Sequence, residues 1–343
     1  MSASPATVTR ETLVEMMQAY RKTALLRAGV TLGVFDALAS GPARCADLAE
    51  RLKTDERGLR ILLNALVAIG LARLHGDHYA LPEGAAPLLS TASPRYMGHM
   101  LRIFASDWEW DAFKVLAEAV RHGGAVVPEH AETPNFAYWE DFAEYATPAT
   151  GPTAELIARE LATAMDGRSR IDVLDVACGH GIYGYTLARH DPRVHVTGLD
   201  WPNVLPIAER NAERMGVRER CSYLAGDMFT RPLGGPYDVV LITNVLHHFS
   251  IERAELLVRR ARDVLRDDGR LIVVGFMIGD EPPEADPAPH LFSVLMLSWT
   301  TEGEVHRRRD YLEMLDRLGF ARPSAHSLPG LPLHVLIAPL GRR

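Results

Sequence analysis

From about residue 170 onward, short apolar runs alternate with longer segments of helical periodicity. The apolar runs are Ile171–Val176, Val194–Leu199, Ser222–Ala225, Asp238–Thr243 and Leu271–Phe276, and the helical segments between them include Leu205–Met215 and Ile251–Leu265. This alternation predicts a parallel sheet with helices on both faces. Near the end of the chain, only Pro329-Gly330 separates the apolar runs Arg322–Leu328 and Leu333–Leu340. No crossover helix fits between them, so we predict that this last pair is antiparallel.

Residues 11–95 show helical periodicity and lack a strand that runs into a glycine turn. The predicted helices are Thr12–Ala28, Leu32–Leu38, Cys45–Leu52 and Asp55–Ile69, and the predicted strands are Leu71–Leu74 and His78–Leu81, joined at Gly76-Asp77. The last three of these helices, followed by a small hairpin, are typical of a winged helix. We therefore expect a winged-helix-like domain at 1–95, a helical, substrate-lining region at 96–168 and an α/β ligand-binding domain at 169–343.

A winged helix can bind DNA, but the charges of this one favour another role. Residues 1–95 contain eleven Lys and Arg against nine Asp and Glu. The helix at the recognition position offers Arg57 and Arg60 and then becomes apolar. A helix that reads a major groove needs polar side chains on its exposed face. Dimerisation is therefore the favoured interpretation, with no nucleic-acid partner.

Composition and net charge further limit the binding partners and the cellular location that we expect. The chain has 343 residues, is 47% hydrophobic and 24% charged, and carries a net charge of −7, so no basic field favours nucleic acid or an anionic membrane. Its three cysteines, Cys45, Cys178 and Cys221, are widely spaced, as expected for reduced thiols. Neither a signal-peptide layout nor an apolar run of bilayer length is visible. We expect a cytoplasmic protein with no membrane partner.

The sequence IDVLDVACGHGIYG at residues 171–184 carries the clearest chemical signal. A predicted strand ends in a turn that contains Gly179 and Gly181 and leads into a predicted helix. Glycines allow a ligand to approach the backbone closely at such a turn, and the N–H groups at a helix start favour polar or anionic groups. The turn therefore predicts a site for a nucleotide-like small molecule.

Three further acidic positions favour S-adenosylmethionine over NAD as the ligand of this turn. Asp175 precedes the glycines within the strand, where a carboxylate suits a cationic sulfonium ligand. Asp200 ends the second strand, where it can accept hydrogen bonds from ribose hydroxyls, although this position alone would also suit NAD. The third strand ends in Gly226-Asp227-Met228-Phe229, which offers an acceptor for an adenine amino group and two apolar side chains for its ring. The glycine pattern by itself does not distinguish a site for S-adenosylmethionine from a site for NAD.

In these motifs the chain resembles the small-molecule O-methyltransferases of the caffeate and acetylserotonin type, including bacterial natural-product enzymes. The resemblance covers nearly the whole chain and includes Asp200-Trp201-Pro202 and Leu246-His247-His248-Phe249. It implies an α/β fold with a Rossmann-like class I methyltransferase sheet and an N-terminal, mainly α winged-helix dimerisation domain. It also implies a homodimer, S-adenosylmethionine contacts at Asp200, Trp201, Asp227 and Met228, and a small-molecule acceptor.

His247 is the predicted general base. It lies four residues beyond the fourth predicted strand, at the edge of the sheet where ligands of open α/β folds bind, and a histidine titrates near working pH. The family pattern is Leu-His-Asp-Trp, and here His248 and Phe249 replace its last two residues. These departures fit methylation of carbon or nitrogen equally well, and they leave open a relative that no longer transfers methyl groups.

The acidic residues that orient the base in this family are harder to place. Asp280 or Glu281 is the candidate for the first of these acidic residues. The position of the second falls on Val305, with Glu304 beside it. An alternative in which His247 and His248 hold a metal, with His290 or His306, is disfavoured because adjacent residues rarely direct both imidazoles at one ion. We expect no metal.

Phe292, Met296 and Trp299 recur at roughly helical spacing after a proline-rich loop. Such residues are more often core than pocket. In the resembled family, however, the corresponding helix faces the substrate, which favours an aromatic or polyketide-like acceptor. The leading interpretation is a dimeric O-methyltransferase of secondary metabolism.

Overall fold

The computed structural model describes residues 8–145, 148–162, 165 and 167–341. The chain divides into two compact units, Met1–Ala105 and Ser106–Arg343. The sequence-based boundaries at residues 95 and 168 remain predictions. Residues 1–7, which bear on the expected lack of a signal peptide, lie outside the described part.

The first unit is mainly helical. Its helices are α1 (Arg10–Gln18), α2 (Tyr20–Thr31), α3 (Val34–Ala39), α4 (Cys45–Leu52), α5 (Glu56–Ala68), α6 (Ala85–Leu89) and α7 (Leu101–Phe104). Its strands β1 (Ala43–Arg44), β2 (Arg73–His75) and β3 (His78–Ala80) form an antiparallel sheet in the order β1-β3-β2. The expected hairpin is present, with Arg73 opposite Ala80. Phe35, Leu63 and Leu66 are among the side chains that fill the core of this unit.

One predicted helix in this unit differs from the structure. The segment Thr12–Ala28 forms two helices, α1 and α2, which meet at Ala19. The amide of Ala19 donates to the carbonyl of Met16, a bond one residue tighter than the α-helical pattern. A one-residue interruption of this kind leaves the apolar periodicity intact, so the sequence pattern could not reveal it.

The second unit contains a seven-stranded mixed sheet between helices. Its strands are β4 (Ile171–Val176), β5 (Val194–Asp200), β6 (Cys221–Ala225), β7 (Tyr237–Thr243), β8 (Leu265–Gly275), β9 (Ser324–Ser327) and β10 (His334–Pro339). They are arranged in the order β6-β5-β4-β7-β8-β10-β9. The first five strands in that order are parallel, and β10 is antiparallel to both β8 and β9. The predicted α/β class and the late antiparallel pair are confirmed.

The helices of this unit are α8 (Asp107–Lys114), α9 (Leu116–His122), α10 (Tyr138–Glu144), α11 (Thr150–Ala162), α12 (Ile182–His190), α13 (Leu205–Arg214), α14 (Ile251–Asp263), α15 (Pro287–Trp299) and α16 (Arg308–Arg317). Strand β7 is buried along its whole length, as expected for a central parallel strand covered on both faces. From β4 the chain continues to β5 and β6 on one side and later to β7 and β8 on the other. Ligands of open α/β sheets bind where the strand order reverses in this way, at the carboxyl ends.

Strand β8 is longer than the predicted Leu271–Phe276, because it begins at Leu265. Its first half contains Asp267-Asp268-Gly269, a sequence that favours a turn. In the structure, Leu265 pairs with Tyr237 and Arg270 pairs with Val239, so residues 266–269 have no partner in β7 and form an irregularity in the register.

Candidate active site

A cavity opens at the carboxyl ends of the parallel strands in the second unit. Its empty volume is about 1020 Å³, including open solvent at its mouth. Residues that follow β4, β5, β6 and β7 line it, together with residues of the segment 131–142. Lining residues of the strand ends include Cys178, Gly179, His180, Asp200, Trp201, Asp227, Met228, Phe229, Asn244 and His248. The position is the one predicted for ligands of this fold class.

Two strand ends have unusual backbone geometry at the cavity. Ala177 after β4 and Asn244 after β7 adopt φ values of 53° and 55°, in the left-handed region that side chains other than Gly and Asn disfavour. Both residues line the cavity. Asn244 also donates from its side-chain amide to the hydroxyl of Tyr183 at 3.2 Å. Strained backbone of this kind concentrates at binding sites, where the surrounding structure maintains it.

The two glycines of the turn have different physical roles. Gly179 lines the cavity with φ at 52°, and an added Cβ would meet no atom within 4 Å. Gly181, with φ at 72°, is not among the lining residues, and its added Cβ would lie 2.1 Å from the ring of Tyr185. Gly179 therefore leaves space for a ligand, whereas Gly181 leaves space for the packing of α12.

Asp200 connects two strand ends across the cavity. Its Oδ2 accepts a hydrogen bond from the amide of Gly179 and its Oδ1 accepts one from the amide of Trp201, both at 2.7 Å. Burial raises the pKa of this carboxyl to about 6, against the opposing effect of these two amides. Each oxygen keeps a lone pair that can accept a further hydrogen bond from a ligand.

The segment after β6 forms a second polar position. Asp227 Oδ1 accepts from the amide of Phe229 at 2.8 Å, and the other oxygen, Oδ2, forms no hydrogen bond within the described chain. Met228 and Phe229 line the cavity beside it. The ring of Phe229 packs edge-on against Phe249, with 4.9 Å between centroids. This arrangement offers one hydrogen-bond acceptor oxygen next to an apolar surface, which suits a flat heterocycle with an amino group.

Asp175 lies away from this cavity. It is fully buried and absent from the lining, and its Oδ2 accepts from the amide of Gly184 at 3.3 Å. Its Oδ1 is buried without a hydrogen-bond partner. Burial raises the pKa of this carboxyl to about 8. Asp175 thus connects β4 to α12 as a mostly protonated group at neutral pH. It can affect a ligand in the cavity only indirectly, by holding α12 and the glycine turn before it in position.

The segment 131–142, within the region 96–168 that we expected to line the substrate, forms one wall of the cavity. Ala131, Glu132, Pro134, Trp139 and Phe142 line the cavity. The amide of Ala131 donates to the carbonyl of Trp299 at 2.9 Å, and Trp139 donates from Nε1 to the carbonyl of Ala131 at 3.0 Å. Glu132 forms an ion pair with Arg253 and accepts from the amide of Thr301 at 2.9 Å. The only advance signal was the aromatic content of this region.

His248 and His247 face different surroundings. His248 lines the cavity, and its ring lies 5.4 Å from that of Trp139. His247 is buried and is not among the lining residues; the edge of its ring meets Phe292, with 5.0 Å between centroids. Burial lowers the pKa of His247 well below its ordinary value, and the neighbouring His248 and His306 lower it further. The sequence favoured His247 for catalysis and gave no role to His248.

The acidic candidates for orienting His247 lie elsewhere. Asp280 pairs with Arg308 at 3.4 Å and is exposed to solvent. Glu304 is also exposed and lies 3.7 Å from His306, while Val305 is buried. Within the described ranges, no carboxylate forms a hydrogen bond or ion pair with the His247 ring.

The histidines considered as metal ligands do not converge. His306 donates from Nε2 to the carbonyl of Phe249 at 2.9 Å, which uses one of its two ring nitrogens. In the part of the chain that the structure describes, no three His, Cys, Asp or Glu side chains are grouped to hold a metal ion. None of the described helices is long and apolar enough to cross a membrane.

The predicted pocket helix, α15, contributes to two different clusters. Phe292 stacks on Phe276 beside His247, with 4.1 Å between centroids. Trp299 is buried and packs edge-on against Tyr138, with 4.5 Å between centroids. Met296 is also buried. Phe292 therefore lies beside His247, whereas Met296 and Trp299 belong to the core.

Comparisons with known proteins agree with this geometry. Residues 113–321 match the O-methyltransferase domain, and residues 14–106 match the O-methyltransferase dimerisation domain. A solved structure described as an O-methyltransferase of Nostoc punctiforme is 31% identical, with a TM-score of 0.88 over 97% of this chain and 100% of that chain. The 3-hydroxy-5-methyl-1-naphthoate 3-O-methyltransferase of Streptomyces sahachiroi is 26% identical over 92% of this chain and 93% of its own.

Human N-acetylserotonin methyltransferase, solved in complex with S-adenosylmethionine, shares the fold at 23% identity and a TM-score of 0.77, over 99% of this chain and 100% of that chain. The domain match at residues 113–321 covers more than half of the sequence. The chain belongs to the O-methyltransferase family of S-adenosylmethionine-dependent methyltransferases.

Proposed function

We propose that this protein transfers a methyl group from S-adenosylmethionine to a hydroxyl of a small aromatic or polyketide-like metabolite. The observation that carries the proposal is the cavity at the ends of β4 to β7, where two acidic side chains face apolar ones across a glycine turn. The name of the Streptomyces relative, which acts on a hydroxynaphthoate, supports an aromatic acceptor. A place in secondary metabolism follows from that substrate class.

The cavity residues fit the methyl donor group by group. Gly179 leaves open space beside the turn, and Asp200 has oxygens that can accept from ribose hydroxyls. Asp227 keeps an acceptor oxygen for an adenine amino group, and Met228 and Phe229 supply apolar contacts. Trp201 adds a further wall. When bound, S-adenosylmethionine supplies an activated methyl group on a positively charged sulfur.

Gly181 and Asp175 support this site from behind. Gly181 allows Tyr185 to pack against the turn, and Asp175 holds the first turn of α12 through Gly184. Both therefore keep the Gly179 amide directed at Asp200 without touching the ligand. In this proposal the two residues act indirectly, rather than through the direct contact expected from the sequence.

We place His247 next to the acceptor hydroxyl, as the family resemblance implies. It lies immediately after β7, beside the half-buried rings of Phe276 and Phe292, which suit a flat acceptor. Methyl transfer needs the acceptor oxygen held in line with the methyl carbon and sulfur, and alignment of this kind supplies much of the rate. His247 and the two rings provide that alignment.

The protein acts as a homodimer through its first unit. Helix α1 has no buried residue, and its apolar side chains at Met16 and Met17 are 72% and 71% exposed. Residues 14–106 match a dimerisation domain, and a second copy of the chain would bury these exposed apolar side chains. The winged-helix description, the cytoplasmic location and the lack of a nucleic-acid partner remain predictions from the sequence.

The proposal is tested with S-adenosylmethionine that carries a deuterated methyl group and a panel of hydroxylated aromatic acceptors. We expect a product with the label on oxygen, together with S-adenosylhomocysteine, both detected by mass spectrometry. The aromatic surroundings of His247 also suit a carbon or nitrogen acceptor, and a label on either atom would replace O-methylation. Cofactor binding without transfer to any acceptor would instead indicate a relative with another reaction.

A further inference from the structure

The imidazole of His247 lies in an apolar setting at the end of β7. Phe292 meets it edge-on, at an angle of 88° between the ring planes, and Phe276 lies 6.4 Å away between centroids. Nδ1 of His247 faces the backbone of Gly275, where an added Cβ would be 3.4 Å away. Three elements thus surround the ring without offering it an acid: the end of β7, the end of β8 and helix α15.

The titratable groups nearest this ring are other histidines. His248 precedes Phe249 in the same turn and lies 4.9 Å from His247 between ring centroids. His306, from the segment before α16, acts on His247 as a further positive charge when protonated. Asp280 is paired with Arg308 and exposed to solvent, and Glu304 is exposed beside His306.

A general base must hold a proton during the reaction, and an imidazolium is favoured when an acid lies beside it. Burial and the two neighbouring histidines disfavour the imidazolium here. A neutral imidazole nevertheless has one N–H group that can donate a hydrogen bond. The geometry of His247 therefore suits a donor better than a proton acceptor.

We propose that His247 donates a hydrogen bond to an acceptor oxygen that is already ionised, and that the natural acceptors are flat aromatic compounds with an acidic hydroxyl. The inference rests on the proposed function and narrows its substrate class. Electron-poor phenols and hydroxyquinones have this chemistry. The half-buried rings of Phe276 and Phe292 provide the apolar surface for such a plane.

The reaction balances without a proton acceptor in the protein. The hydroxyl proton leaves to solvent before transfer, and the resulting anion is attracted to the positive charge of the donor. The acceptor oxygen forms the new bond to the methyl carbon while the carbon–sulfur bond breaks. The electron pair of that bond stays on sulfur, which becomes the neutral thioether of S-adenosylhomocysteine.

The first experiment uses the wild-type protein and a series of equally shaped phenols whose hydroxyl pKa values run from about 6 to about 10. We expect kcat/KM to rise with pH and to level off near the pKa of each acceptor, so that the inflection moves along the series. One inflection at the same pH for every acceptor would show that a group of the enzyme controls ionisation, and it would overturn the proposal.

The second experiment compares His247→Asn with His247→Ala. An amide can donate a hydrogen bond but does not accept a proton near neutral pH, so the Asn variant should retain kcat within about threefold for the acidic acceptors. The Ala variant should lose about tenfold, which matches one lost hydrogen bond. Equal losses of 10²–10⁴-fold in both variants would identify a general base instead. Thermal unfolding of each variant verifies that the fold is retained.

A spectroscopic measurement separates this inference from the proposed function. The absorbance of an acidic nitrophenol acceptor is recorded in its complex with the protein and sinefungin, a non-transferring analogue with a positive charge near the methyl position. We expect the anion spectrum at neutral pH. The neutral spectrum would contradict the inference while methyl transfer continued, whereas failure of the proposed function would show as no O-methyl product from any acceptor.

Discussion

Two regions of the second unit lie side by side at the same edge of the sheet, and they are built from opposite kinds of side chain. The cofactor cavity has carboxylates at two strand ends, Asp200 and Asp227, and both are held by backbone amides. The surroundings of His247 consist of phenylalanine rings and histidines. We therefore expect the first region to recognise the cofactor mainly by hydrogen bonds, and the second to recognise the acceptor mainly by shape, with one hydrogen bond from His247.

The difference has a chemical consequence. Carboxylates suit a ligand that presents hydroxyl and amino groups, as S-adenosylmethionine does. The acceptor varies among relatives, and an apolar slot with one hydrogen-bond donor constrains it less. In our proposal the acceptor hydroxyl is acidic enough to ionise without a base from the protein, and the protein aligns the resulting anion with the methyl group.

The largest expected effect concerns the glycine turn. Gly181→Val adds atoms within the ring of Tyr185 and places a branched side chain at φ 72°, which should cost at least about 3 kcal/mol and abolish cofactor binding. Gly179→Ala is the comparison variant. Its Cβ meets no protein atom, so the free protein should lose only about 1 kcal/mol through the strain of the left-handed backbone, whereas the Cβ enters the space proposed for the ligand and should weaken binding. Thermal unfolding and titration with S-adenosylhomocysteine measure both variants. An equal loss of stability in the two variants would contradict the distinction between packing and ligand space.

Asp200 is the second test of the hydrogen-bonding region. Asp200→Ala removes the acceptor of two amides and of the ribose, and the affinity for S-adenosylhomocysteine should fall by about 2–3 kcal/mol, roughly 30- to 150-fold. Asp191→Ala is a control at the opposite end of the same strand, where the carboxylate pairs with Arg193. Unchanged affinity in Asp200→Ala would remove this residue from the proposed site.

Asp227 should have a smaller effect, because one oxygen accepts from the amide of Phe229 and only the other is left for a ligand in the cavity that this residue lines. Asp227→Asn keeps the shape and replaces one acceptor by a donor, so we expect about tenfold weaker binding of S-adenosylhomocysteine. Inosine-containing cofactor, which lacks the adenine amino group, should bind the two proteins almost equally. A full tenfold difference with that analogue would place Asp227 away from the adenine.

The last prediction concerns the pH dependence of stability. The folded-state pKa of Asp175, about 8, lies above the ordinary value of an aspartate, so folding favours its protonated form. Stability from this group is present below about pH 4 and is lost as the pH rises towards 8. Asp175→Asn should therefore gain stability relative to wild type between pH 5 and pH 8 in thermal unfolding, with cofactor affinity nearly unchanged. A constant difference across that range would contradict the protonated state.

Much of this architecture was predictable from the sequence because it depends on local patterns. The runs from Ile171 to Thr243 predicted four parallel strands with boundaries near those observed, since buried central strands are continuously apolar. The glycine turn and the acids at Asp200 and Asp227 could also be found, because each directly follows a strand. Asp175 has the same sequence signal, and only the structure shows that its side chain turns towards α12.

The rest of the site depends on contacts between distant segments. Glu132 reaches the cavity through Arg253 and Thr301, more than 100 residues away in the chain, and no local pattern encodes such a contact. The aromatic environment of His247 joins Phe276 and Phe292 from separate elements. Asp280 and Glu304 were candidates for its acidic partner, but both side chains are exposed to solvent.

The most direct test of the central claim is calorimetric titration of S-adenosylhomocysteine and of NAD into the wild-type protein, Asp200→Ala and His247→Ala. We predict binding of S-adenosylhomocysteine on the order of micromolar to wild type and to His247→Ala, at least tenfold weaker binding to Asp200→Ala, and no binding of NAD. Binding of NAD alone, or a loss of S-adenosylhomocysteine affinity in His247→Ala without a loss in Asp200→Ala, would contradict the account.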